Sequence, residues 1–93
     1  MKILYVEDEA RDVDLTIRSL SRQQPDWTVA TVSTANAALE ELRGKPYDLL
    51  LSDLRLAEGS GLDLLQLVRE AGMPLAVVII TGRGDEDIAV AAL

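Results

Sequence analysis

Leu49, Leu50 and Leu51 form an unbroken apolar run, preceded by Tyr47-Asp48 and followed by Ser52-Asp53. The run is too short for a core helix, and it has no polar position to turn toward water. Such a segment fits a strand covered on both faces, the usual state of a strand inside a parallel sheet. This strand, Tyr47–Ser52, runs out into the carboxylate of Asp53. Three other segments share its character. Lys2–Val6 is apolar and ends at Glu7-Asp8-Glu9, Trp27–Val32 alternates apolar and small polar residues, and Leu75–Ile80 ends at Thr81.

Helical patterns fill the gaps between these strands. Val13, Ile17 and Leu20 make one stripe at helical spacing within Ala10–Gln23, and Gln24-Pro25-Asp26 breaks it. Ser33 or Thr34 is the N-cap of a second helix through Leu42, with Gly44 placed for a left-handed end. Gly59 and Gly61 lend flexibility to a loop from Leu54 to Gly61. A third helix follows from about Leu62 to Ala71, stopped by Gly72 and Pro74. Asp85 is read as the cap of a last helix over Glu86–Leu93. Strict alternation of strand and helix predicts an α/β fold, a doubly wound parallel sheet with right-handed crossovers. The chain of 93 residues makes one domain, 1–93.

The strand over Leu75–Ile80 has no charge and no proline, so it belongs inside a sheet. No further strand is read after it, which leaves an apolar edge open to aggregation. We therefore expect the domain to be incomplete at its C-terminus. A homodimer or domain exchange through that uncovered edge is the other way to cover it.

In an open parallel sheet the carboxyl ends of the strands share one rim, and ligands bind there. Glu7, Asp8, Asp53 and Thr81 all fall at such ends. Mg²⁺ takes oxygen ligands, commonly one or two carboxylates together with phosphate oxygens. Asp8 and Asp53 can supply the carboxylates, and Glu7 can act directly or through water. With the charge offset, Asp53 can attack a phosphoryl group as a carboxylate nucleophile. The Thr81 hydroxyl and the backbone N–H groups after Asp53 are donors for the phosphoryl oxygens. Each residue alone has a plainer explanation. Glu7-Asp8 suits a helix N-terminus, Asp53 suits a cap or loop, and Thr81 suits a turn. Their convergence on one rim favours a site.

Composition excludes other chemistries. There is no Cys and no His, so disulfides, thiol catalysis, the common zinc sites and a Ser–His triad are out of reach of this sequence. A net charge of −7 argues against direct nucleic-acid binding and against anionic membranes. No apolar run approaches the ~20 residues of a membrane span. A cytoplasmic location is the default. Arg83-Gly84-Asp85 spells an adhesion tripeptide by coincidence, and Gly82 and Gly84 make no phosphate-binding loop, since no Gly-Lys-Ser/Thr follows.

With these residues in place the sequence resembles the receiver domains of response regulators in two-component signalling. The resemblance is carried by Ile3-Leu-Tyr-Val-Glu-Asp-Glu9, Asp48-Leu-Leu-Leu-Ser-Asp53-Leu-Arg-Leu, Gly59-Ser-Gly-Leu-Asp63 and Val78-Ile-Ile-Thr-Gly82. It implies a flavodoxin-like strand order 2-1-3-4, with the family's fifth strand and fifth helix absent. Asp53 is then the phosphoacceptor, served by a histidine kinase or a phosphotransfer protein. Glu7, Asp8, Asp53 and the backbone carbonyl of Arg55 hold Mg²⁺. Thr81 is the switch hydroxyl, and Arg55 and Gly82 occupy positions that tune phosphate lifetime and access. Ala57 stands where the family usually has Pro, and the Lys and switch aromatic of the fifth strand are not in the sequence. The domain is a signalling module that catalyses only its own phosphoryl transfer and slow dephosphorylation, and is otherwise no enzyme. Two rival readings are a non-switching scaffold of the same fold and a Mg²⁺-dependent phosphohydrolase. The hydrolases usually carry a second acid two residues after the nucleophile, where this chain has Arg55.

Overall fold

Four short apolar segments become parallel neighbours because each can bury both faces only inside one sheet. The computed structural model describes residues 1–81 and 88–92, with side chains up to Ile80 apart from those of Ala10 and Asp12. Strand β1 spans Lys2–Val6, β2 spans Thr28–Val32 and β3 spans Leu49–Asp53. A two-residue pair, β4 (Arg55–Leu56) and β5 (Gly59–Ser60), forms a small antiparallel hairpin. Strand β6 spans Ala76–Thr81 and β7 spans Ile88–Ala92. The helices are α1 (Ala10–Gln23), α2 (Ala35–Gly44) and α3 (Gly61–Glu70).

The main sheet has the order β2-β1-β3-β6-β7. Its first four strands are parallel, as the strand–helix alternation predicts, and stand in the order that the resemblance implies. The far edge differs from expectation. Ile88–Ala92 is a strand antiparallel to β6, from Thr81↔Ile88 to Val77↔Ala92. Over Ile88–Ala92 it replaces the expected helix, whose remaining residues Glu86, Asp87 and Leu93 lie outside the described ones, and the β6 edge is covered rather than open. The premise for domain exchange through that edge is thereby removed. Ile88-Ala-Val-Ala-Ala92 carries no charge and is β-branched at alternate positions, so it serves a ladder as readily as a helix. The unpaired side of β6 decides between them. The expected cap Asp85 and position Gly82 lie outside the described residues.

Side-chain alternation divides the core between two faces. Leu4, Val6, Leu50, Val77 and Ile79 point to one face and pack with Ala38 and Leu39 of α2 and Leu64 and Val68 of α3. Ile3, Tyr5 and Leu51 point to the other, against Val13 and Leu20 of α1 and Trp27, Val29, Val78 and Ile80. Helices α2 and α3 thus seal one face. On the other face, among the described residues, α1 is the one helix, and none of its described side chains is buried.

Local chemistry sets the helix ends. Thr34 caps α2, its hydroxyl accepting the Ala37 N–H at 3.1 Å. Gly44 stays inside α2 instead of ending it in a left-handed cap, and Lys45 leaves in extended backbone. Ser60 and Asp63 form a reciprocal capping box at the start of α3. Gly72, read from the sequence as the stop of this helix, leaves it in the left-handed region at φ 72°. Arg69 then bonds the Met73 and Leu75 carbonyls at 3.3 and 3.0 Å, steering the chain into β6.

Gly61 has a role other than flexibility. It is the first residue of α3, and a Cβ there would stand 2.5 Å from the Asp53 carbonyl oxygen. It would also meet Ser52 Oγ at 3.1 Å and Ile79 Cδ1 at 3.2 Å. Only a residue without a side chain lets α3 begin directly against the end of β3.

Two predictions follow from this packing. Leu64→Ala, at a fully buried position, should lower unfolding free energy in a urea titration by about 3 kcal/mol. Leu62→Ala, at a 56% exposed neighbour, should change it by less than about 0.5 kcal/mol. Gly61→Ala should cost about 2 kcal/mol in the same titration, despite the better helix propensity of Ala, because backbone and not a flexible side chain blocks the new methyl.

Candidate functional site

Parallel pairing in register brings the candidate residues together. Val6 pairs with Ser52, and Asp53 pairs with Ile80. The next residue after each strand therefore emerges on a common rim. Glu7 extends the first strand by one bond, its N–H donating to the Val32 carbonyl at 3.1 Å. Carboxylate oxygens of Glu7, Asp8 and Asp53 all lie within 4.8 Å of one another. By alternation Glu7 and Asp53 continue the row of Ile3, Tyr5 and Leu51. The acids thus close the top of the α1-side core.

The three carboxyls differ in surroundings. Glu7 is buried, Asp8 is exposed and Asp53 is half-buried. Burial pushes the Glu7 carboxyl up to about 7, with the Asp8 and Asp53 carboxyls adding to the rise. The Glu9 N–H opposes the shift, donating to Glu7 Oε1 at 3.1 Å. Close packing of three acids disfavours simultaneous ionisation unless a positive charge joins them. Their donor chemistry, carboxylate oxygen only, fits a hard divalent cation such as Mg²⁺. The residues present therefore suit the ion that the sequence implies.

The other candidates stand nearby with less definition. Thr81 ends β6, the strand beside β3, and its side chain is outside the described set. Arg55 opens the β4–β5 hairpin immediately past the site, paired with Ser60, and its side chain is exposed. The loop amides need a correction. The Leu54 N–H donates to the Ile80 carbonyl at 2.9 Å and is engaged in the sheet. It is not a free donor for a bound anion.

Two residues at the site were not singled out as such from sequence. Ser52 is fully buried, and its hydroxyl donates to the Asp53 carbonyl at 2.9 Å. The available signal was a polar residue closing an apolar run. Gly61 closes on the same carbonyl, and nothing in the sequence distinguishes that close approach from an ordinary loop glycine.

Comparison with known proteins agrees with this geometry. The family model for the response regulator receiver domain matches residues 3–93. The response regulator protein PilR of Pseudomonas aeruginosa is 38% identical over 92 residues, covering 99% of this chain and 20% of the relative. The chain thus spans about a fifth of the length of such curated relatives. Among solved structures, the MaeR response regulator bound to beryllium trifluoride superimposes with a TM-score of 0.81 at 27% identity. That match covers 91% of this chain and 70% of MaeR. The response regulator TrrA from Thermotoga maritima, in complex with Mg²⁺ and a beryllium fluoride, matches at 0.72 and 25%, over 82% of this chain and 64% of TrrA. Fold, strand-end acids and sequence similarity lead to one conclusion: the chain belongs to the response regulator receiver domain family.

Proposed function

We propose that this receiver domain is a phosphoacceptor that takes a phosphoryl group onto Asp53 from a histidine kinase or phosphotransfer protein. The observation that carries this reading is the convergence of Glu7, Asp8 and Asp53 within 4.8 Å at the rim. A carboxylate oxygen of Asp53 attacks phosphorus. The new P–O bond forms as the P–N bond of the donor's phosphohistidine breaks, and the leaving imidazole nitrogen keeps the electron pair and takes a proton from solvent. Glu7, Asp8, Asp53 and the Arg55 carbonyl would hold Mg²⁺, which when bound supplies positive charge to offset the phosphoryl oxygens. Glu7 binds from the buried side and orients the cluster. The Thr81 hydroxyl donates to a phosphoryl oxygen and reports the modification by moving toward it. We assign the domain to the cytoplasm, where its phosphodonors would reside. Among the described residues no helix is long and apolar enough to cross a membrane.

Asp53 can be tested by mass. Incubation with Mg²⁺ and acetyl phosphate should add one phosphoryl group to the chain, seen in an intact-mass spectrum. Asp53→Asn should abolish the adduct, because an amide is no nucleophile here. An unchanged adduct in Asp53→Asn would overturn the assignment.

Glu7 makes stability depend on pH and on Mg²⁺ together. Its carboxyl titrates near 7 in the fold against an ordinary 4.5, so the native state holds a proton that the unfolded chain releases. That contribution is complete below about 4.5 and is lost as pH rises through about 7. Without divalent cation, the melting temperature should therefore fall across this window. Mg²⁺ should raise it again at pH 7.5, adding ~2.7 kcal/mol of unfolding free energy at a hundredfold excess over Kd, and do little at pH 5. Glu7→Gln should remove the Glu7 contribution to the slope and most of the Mg²⁺ effect, as followed by circular dichroism.

A further inference from the structure

The peptide unit that follows Asp53 is held at both ends. Its carbonyl accepts the Ser52 hydroxyl at 2.9 Å, and its N–H, from Leu54, donates to the Ile80 carbonyl at 2.9 Å. The grip is enclosed. Ser52 has no exposed surface, and α3 begins so near that a Cβ at Gly61 would fall 2.5 Å from the same carbonyl oxygen. Fixing this peptide plane fixes the backbone torsion after the Asp53 Cα. That torsion sets the direction in which the Asp53 Cα–Cβ bond leaves the locked plane, from which the carboxylate extends.

The hydrogen bond of the Ser52 hydroxyl goes to backbone and not to a carboxylate of the cluster. By alternation its side chain lies on the α2–α3 face, with Leu50 and opposite Asp53. A buried hydroxyl needs some partner, and a carbonyl of any neighbouring residue would satisfy it. Here the partner is the carbonyl of the reacting aspartate, and the bond spans from the sealed face of the sheet to the reactive end of the strand.

We propose that Ser52 is a positioning residue for the phosphoacceptor, its hydroxyl locking the Asp53–Leu54 peptide so that the Asp53 carboxylate meets Glu7 and Asp8 in register. The proposal rests on the phosphoacceptor reading of Asp53. A small misplacement of a reacting group is enough to slow transfer substantially. Loss of the lock is therefore expected in the rate of modification and in Mg²⁺ affinity, more than in the fold.

The test measures the rate of phosphoryl addition by acetyl phosphate at saturating Mg²⁺, together with Mg²⁺ affinity by calorimetry and unfolding by urea. Ser52→Ala removes the hydroxyl. Ser52→Thr and Ser52→Val form a pair of equal volume that differs in the hydroxyl alone, so any shared packing penalty cancels between them. We expect Ser52→Ala and Ser52→Val to be modified about tenfold more slowly than wild type and to bind Mg²⁺ more weakly. Ser52→Thr should be faster than Ser52→Val. Loss of stability with wild-type rate and Mg²⁺ affinity in Ser52→Ala would leave Ser52 a satisfied core residue and overturn the proposal. Equal rates for the Thr and Val variants would overturn it as well. Absence of the adduct in the wild-type chain would instead overturn the phosphoacceptor reading, and this proposal with it.

Discussion

Everything at the rim depends on the parallel pairing of β3 between β1 and β6. The registers Val6↔Ser52 and Asp53↔Ile80 make three strands end at one level. The driving force is burial of the Leu49–Leu51 run and its neighbours, a non-directional effect. The position of the acids is nonetheless definite, because the apolar run is bounded by Asp48 and by Ser52-Asp53, and a one-residue slip would draw one of these polar ends into the covered part of the sheet. The hydrophobic effect thus sets the spacing of groups that are themselves costly to bring together.

That cost is visible in Glu7. A carboxyl with little access to water, beside two further carboxyls, is held toward its protonated form. Ionising such a carboxyl as pH rises through about 7 takes stability away from the fold. Three carboxyls brought this close have the donor chemistry of a hard-cation site. The same cation would make the ionised cluster compatible with the burial that the sheet imposes.

Much of this was legible from the residues alone. The four parallel strands, α1 and the strand-end acids follow from apolar periodicity and from the rule that ligands meet parallel sheets at their carboxyl ends. What escaped was decided by tertiary contact. Ile88–Ala92 reads equally well as helix or strand until the edge of β6 is seen to need a partner. Gly61 looks like a loop glycine until α3 is seen to touch the Asp53 carbonyl. Ser52 looks like the polar end of a strand until its hydroxyl is seen to be enclosed. The free amide expected after Asp53 was lost for the same reason, since Leu54 is still part of the ladder.

The unequal cover of the two sheet faces has a mechanical consequence. Val13, Thr16, Ile17 and Leu20 of α1 are only half-buried, and Tyr5 reaches Thr16 at a lengthy 3.3 Å. Helix α1 also starts without a side-chain cap at Glu9. Among the described helices α1 therefore has the least packing to hold it, and α2 and α3, which carry buried side chains, have more. Glu7 and Asp8 lead into the lightly packed helix, whereas Asp53 is followed by the hairpin and α3. The acid cluster thus sits where a lightly packed helix and a well-packed one both leave the sheet.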